Sequence, residues 1–165
     1  MALLTGPMSN LRALIANCAA WQEWTETASA DEAAERIHYI APTDPEGRAY
    51  TRDEIKRPYI VIDIGPGWSL ERIGSGAANY RNAGRLRFRL EDEAEPDVGE
   101  SVSELTFVES LEALLEQMAT KDEGLGYLVP TRMDMPQEIR RSSHASRASE
   151  GDYFMAEVFV EWRGT

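Results

Sequence analysis

The side chains best suited to covalent or metal chemistry are two histidines, one cysteine and a Ser-Ser-His run, and their spacing argues against both uses. His38 and His144 stand more than a hundred residues apart, and Cys18 is the sole thiol. Zinc sites draw their ligands in closely spaced pairs, and no such pair occurs. The many Asp and Glu residues follow no calcium-loop pattern. Ser142-Ser143-His144 sets hydroxyls beside an imidazole, but a nucleophile and its base need fixed geometry. These three lie in a stretch of Ser, Ala and Arg, about residues 140–151, that reads as a flexible arm. Gly65-Pro66-Gly67 and Gly74-Ser75-Gly76 match no phosphate-binding loop and lead into no helix, so both read as turns. The sequence thus assigns no catalytic, cofactor-binding or metal-binding residue and predicts a protein that is not an enzyme.

Two charged groups remain. Glu91, Asp92, Glu93, Glu95 and Asp97 form an acidic run that reads as a solvated loop. Arg85, Arg87 and Arg89 alternate along one strand face and form a positive ribbon. It could bind anions, but in a net-acidic chain it is expected to meet acidic residues of the same or a neighbouring subunit.

The elements that must carry these groups follow from periodicity. Leu11, Leu14, Ile15 and Cys18 make one apolar stripe of a helix over 9–20, with Trp21 and Trp24 after it as core or interface anchors. Cys18 on that stripe is expected to be buried and inert. Ser29 and Glu32 have capping-box spacing, predicting a very short helix that runs into a strand at 37–40. A turn-rich connection covers 41–57, with a possible helical turn at 52–56. Tyr59–Ile64 is the clearest strand, with Ile60, Ile62 and Ile64 on one face and Tyr59, Val61 and Asp63 on the other. Trp68–Ile73 is expected to pair with it, and Gly84–Glu91 to complete a three-stranded meander, with Leu86, Phe88 and Leu90 inward.

Ser101 and Glu104 form a second capping box, opening a helix to about Thr120. Its expected buried stripe is Leu105, Val108, Leu111, Leu115 and Met118, with Glu104, Glu109, Glu112 and Glu116 facing water. Gly124 and Gly126 follow as stop signals. Part of 127–139, broken at Pro130 or Pro136, and 153–162 supply the last strands. The sum is an α+β domain over 1–165: a mostly antiparallel sheet of about five strands with two helices packed on one face. The other face, with Tyr59, Asp63, Arg85, Arg87, Arg89, Glu157 and Glu161, is expected to be free for solvent or a partner subunit.

At 165 residues, with 42% hydrophobic and 28% charged residues, the chain can bury a core without disulfides or metal. A formal net charge of −12 opposes binding to nucleic acid by counterion release; it permits a surface that repels nucleic acid, while solubility alone accounts for it more simply. No long apolar run predicts a membrane span, and the first residues lack the pattern of a signal peptide.

The order of these elements resembles the tail terminator and tail-completion family of long-tailed bacteriophages. The resemblance is carried by Leu11-Arg12-Ala13-Leu14-Ile15, by Arg36-Ile37-His38-Tyr39 before a variable loop, and by the run from Arg57 through Gly65. It continues through Trp68–Arg72, the strand at 84–91, the helix at 101–120 and the ending from Asp152 to Arg163. It implies a virion structural protein, made in the host cytoplasm, with no cofactor. Several copies, usually six, would form a homo-oligomeric ring on the tail tube protein, end tail growth and join the tail to the filled head. Genome DNA would pass through the ring without specific binding, with the acidic residues of 91–100 as candidates for the channel lining. The alternatives are a head-completion or neck connector protein of the same virion, and an acidic adaptor or immunity-type binding protein.

Overall fold

The computed structural model describes residues 5–39, 56–65, 69–72, 80–93, 100–120, 129–134, 136, 139–142 and 153–164. Its helices are α1 (Thr5–Ala16), α2 (Ala19–Trp24), α3 (Ala30–Ala34) and α4 (Glu100–Thr120). Its strands are β1 (Ile37–Tyr39), β2 (Tyr59–Ile64), β3 (Ser69–Arg72), β4 (Tyr80–Glu93), β5 (Val129–Asp134), β6 (Arg140–Ser142) and β7 (Tyr153–Gly164). The fold is α+β, and the main path of the sheet is β1-β2-β4-β7-β5. Among the described residues, only the β1–β2 pairing is parallel.

The sheet is organised around β4 and β7, which pair antiparallel without interruption from Asn82↔Gly164 to Glu93↔Tyr153. Each long strand is flanked by two shorter ones laid end to end. Along β4 run β2, opposite Leu86–Glu91, and β3, opposite Tyr80–Ala83. Along β7 run β5, opposite Phe159–Arg163, and β6, opposite Tyr153–Met155.

Period-two alternation decides the core. Leu86, Phe88 and Leu90 of β4, Ala156, Val158 and Val160 of β7, and Ile60 and Ile62 of β2 are all buried on one face. α1 supplies Leu11, Leu14 and Ile15 to the same cluster, and α4 supplies Phe107, Leu111, Leu114, Leu115 and Met118. Phe107 of α4 and Phe154 of β7 meet with ring centroids 5.6 Å apart. Each such side chain contributes about 1.5–3 kcal/mol by leaving water.

Several expectations are corrected. The helix expected over 9–20 starts earlier and breaks at Asn17–Cys18, and Trp21 and Trp24 lie on a helix of their own. Cys18 is the extended N-cap residue of α2, fully buried, with its thiol donating to the Leu14 carbonyl at 3.2 Å. The meander is not formed, because β3 pairs with β4 rather than β2. Pairing along β4 ends for β2 at Ile64↔Leu86 and resumes for β3 at Ser69↔Ala83, so β2 and β3 act as one interrupted strand. Gly65 opens that interruption. Its N–H donates to the Arg85 carbonyl at 2.9 Å, and a Cβ there would fall 2.9 Å from the same oxygen.

On α4, Leu105 is 56% exposed, whereas Phe107 and Leu114 fill the inward positions. The four glutamates expected to face water do so. α4 already begins at Glu100, so Ser101 lies inside the first turn rather than at the cap. The proposed arm at 140–151 opens with β6, which pairs with β7, so its first three residues are part of the sheet. Residues 143–151, the connection over 40–55 with its possible helical turn, Pro66–Trp68, Gly74–Gly76, Gly124 and Gly126 lie outside the described residues. The capping box before α3 is present: Ser29 Oγ accepts from the Glu32 N–H at 3.3 Å, and Glu32 Oε2 accepts from the Ala28 N–H at 3.1 Å.

The outer boundary of the sheet at β1 is closed by a side chain. Ile60 N–H takes the Arg36 carbonyl, so the Ile37 carbonyl points away from β2. Arg12 of α1 donates from Nε to that Ile37 oxygen at 3.1 Å and from Nη2 to the Ala34 oxygen at 2.6 Å. One guanidinium thus ties α1 to β1 and occupies an edge acceptor. Arg12→Ala is expected to lower stability by about 1–3 kcal/mol in urea denaturation. Leu105→Ala is expected to stay within about 0.5 kcal/mol of the parent.

Candidate functional site

β4 runs past the core and ends in Glu91, Asp92 and Glu93, of which alternation sends the first two to opposite faces. Glu91 points to the outer face, where it is buried and accepts a hydrogen bond from the Tyr59 hydroxyl. Burial pushes the Tyr59 phenol well above its usual range, and the Glu91 hydrogen bond pushes it further. The Arg57 guanidinium stacks near the Tyr59 and Tyr153 rings, at 5.9 and 5.0 Å from their centroids. Asp92 points to the inner face. Its Oδ2 accepts from Trp24 Nε1 at 2.7 Å, and its Oδ1 accepts from the Glu93 N–H at 2.8 Å.

Asp92 forms part of a cavity of about 430 Å³ between four segments and the residue that joins them. The end of α2 gives Trp24, Thr25 and Glu26, the approach to β2 gives Lys56, Arg57 and Pro58, the end of β4 gives Asp92 and Glu93, and α4 gives Ser103, Thr106, Phe107 and Ser110. Arg36, between α3 and β1, completes it. Its Nη1 is shared among the carbonyls of Lys56, Arg57 and Pro58 at 3.4, 3.2 and 3.4 Å, which fixes the approach to β2 against the start of β1. The Trp24 ring meets the rings of Trp21 and Phe107 edge-on, at 6.0 and 5.5 Å, so this wall is anchored in the core.

Glu26 stands at the rim in a left-handed conformation, φ 54°. The Thr27 N–H bonds the Gln22 carbonyl at 2.9 Å and the Glu26 N–H bonds the Glu23 carbonyl at 3.1 Å. That is a Schellman ending for α2, in which glycine usually takes the position held by Glu26.

Two opposite charges, Asp92 and Arg36, face the cavity. Burial raises the Asp92 carboxyl above the ordinary carboxylate range, opposed by its hydrogen bonds from Trp24 and Glu93. Burial also lowers the Arg36 guanidinium, opposed chiefly by Asp92. No ion pair within 4.0 Å joins the two. Carboxylates and guanidiniums held this way occur preferentially at binding and catalytic sites.

The groups singled out in the sequence go elsewhere. The arginine ribbon is neutralised within the chain: Arg87 clamps Asp63 through Nε and Nη2 at 2.9 and 2.6 Å, Arg85 lies 3.8 Å from Glu161, and Arg89 lies 3.8 Å from Glu91. The arginines thus meet acidic residues of the same chain, as expected, and the outer face carries a ladder of part-exposed ion pairs with Tyr59, Val61 and Tyr153 buried in it. The acidic run is not a loop at its start, because Glu91, Asp92 and Glu93 end β4 and the first is buried. Glu95 and Asp97 lie outside the described residues. His38 is half-buried on β1, edge-on to Tyr59 at 6.3 Å, and burial followed by the nearby Arg12 and Arg36 lowers its pKa. Ser142 ends β6, and Ser143 and His144 lie outside the described residues. Among the described residues no group of three or more His, Cys, Asp or Glu could hold a metal ion, and no helix is long and apolar enough to cross a membrane.

Sequence reasoning missed Asp92, Arg36 and Trp24 as one site. The available signal was parity: Asp92 shares the inward register of Leu86, Phe88 and Leu90. No protein-family profile and no curated protein matches the chain.

Two outcomes test this geometry. A carboxyl with a raised folded-state pKa binds protons more tightly when folded, so its contribution to stability rises as pH falls through that value. The stability of the parent relative to Asp92→Asn is therefore expected to increase from about pH 7 to about pH 4, measured by urea denaturation across pH. Glu26→Gly relieves the left-handed strain and is expected to raise stability by about 0.5–1 kcal/mol.

Proposed function

We propose that this chain is a structural protein of a bacteriophage virion. It forms a ring that caps the tail tube, ends tail growth and joins the tail to the filled head. The number of copies is six by analogy with the family it resembles, and the ring contacts the tube protein on one side and a head-completion or neck protein on the other.

The supporting observation is a sheet suited to finite association. Strand addition at the β1 edge is opposed by Arg12, which occupies the outward carbonyl of Ile37. At the other end of the path, β5 contains Pro130 and a register shift between Pro130 and Arg132, both of which interrupt a ladder. A protein that stops a polymer must not itself add strands without limit. Among the described residues, the large apolar side chains left exposed, Tyr39 on β1, Ile64 at the end of β2 and Leu105 on α4, are spread over separate elements. Ring closure by rotation uses two different patches on each copy, which such a distribution can supply.

The test is negative-stain microscopy of the purified protein at high concentration, with and without isolated tail tubes. Closed rings and tubes capped at one end are expected. Rings that leave tubes bare would move the protein to the neck, and a uniform monomer that ignores tubes would overturn the proposal.

A further inference from the structure

We propose that the cavity at the end of β4 binds a small zwitterion of the α-amino-acid kind, with its ammonium against Asp92 and its carboxylate against Arg36 and Lys56. The inference is independent of ring formation. At about 430 Å³ the cavity lies within the size range of small-molecule sites.

Its charges are balanced in number and separate in origin. Arg36, Lys56 and Arg57 come from the segments around β1 and β2, whereas Glu26, Asp92 and Glu93 come from the end of α2 and the end of β4. A simple anion would gain Arg36 and Lys56 but face three carboxylates. A simple cation would gain Asp92 but face three cations. A ligand with both poles is repelled by neither set.

The hydrogen-bonding capacity agrees. Each Asp92 oxygen accepts one N–H, leaving a lone pair on each for an incoming ammonium. Arg36 uses only Nη1 within the described residues, leaving Nε and Nη2 as paired donors matched to a carboxylate. Lys56 is exposed at the rim and can close on the same group. The Trp24 and Phe107 rings in the cavity lining offer an apolar wall to a side chain. The ligand would restore to Asp92 and Arg36 the compensation that burial removed.

The Trp24 indole N–H is a built-in reporter, because its acceptor is the proposed ammonium partner. In the ¹⁵N-labelled full chain, its resonance is identified by its loss in Trp24→Phe and followed during titration. The probe is L-phenylalanine, with phenethylamine and 3-phenylpropionate as controls that each carry one pole. A saturable shift with L-phenylalanine is expected, with each control at least about tenfold weaker. Asp92→Asn should weaken the L-phenylalanine response by about tenfold or more, and Lys56→Ala, a change at an exposed position, by a few-fold. Failure of L-phenylalanine to shift the resonance up to its solubility limit would overturn the proposal. So would controls that bind as well as the zwitterion, or a response unchanged in Lys56→Ala and Asp92→Asn.

Discussion

The uninterrupted register between β4 and β7 is the constraint on which the rest depends. Twelve consecutive pairs, from Asn82↔Gly164 to Glu93↔Tyr153, fix which side chains face the helices. A slip of one residue would send Leu86, Phe88 and Leu90 to the outer face and bring Arg85, Arg87 and Arg89 into the core. Burying three unpaired guanidiniums has a prohibitive cost, so the arginines specify the register as firmly as the apolar residues do. Asp63 and Glu161 then complete the outer ladder at positions the same register dictates.

The same alternation explains what was legible in the sequence. Tyr59–Ile64 was readable to the residue, because its period-two pattern is bounded by Pro58 and Gly65. The capping box of α3 was readable because both of its partners are local. β3 was placed beside the wrong strand because its choice between β2 and β4 depends on the interruption after Ile64, which no local preference encodes. Leu105 misled because a helix permits several apolar arcs, and the choice among them is made by the sheet. Phe107, the competing residue, has Phe154 and Trp24 to meet. The cavity was not legible, since Trp24, Arg36, Lys56, Asp92 and Ser103 are brought together only by tertiary packing.

Where β4 outruns its apolar pattern, the fold changes character. Glu91 and Asp92 occupy positions that alternation would give to one outer and one inner residue, and each is satisfied by an aromatic donor, Tyr59 on one side and Trp24 on the other. The two contacts are not equivalent. Glu91 lies among Tyr59, Arg89 and the nearby Arg57, which together form a closed polar cluster. Among the described residues, Asp92 has only neutral N–H donors at hydrogen-bonding distance, and it opens onto the cavity. Parity of strand position thus separates a structural carboxylate from an available one.

The distribution of charge gives the net value of −12 a spatial meaning. Arg12 is bound to carbonyls, Arg36 to the approach to β2, Arg57 to Glu93 and two rings, and Arg85, Arg87, Arg89 and Arg132 to carboxylates. α4 contains no Lys or Arg and exposes Glu104, Glu109, Glu112 and Glu116 along one side. Cations already engaged within the chain are poorly placed to neutralise phosphates, so the field presented by α4 is more acidic than an even spread of charge would make it. At physiological salt such a field acts over about 8 Å. Over that range it disfavours adhesion of a DNA duplex.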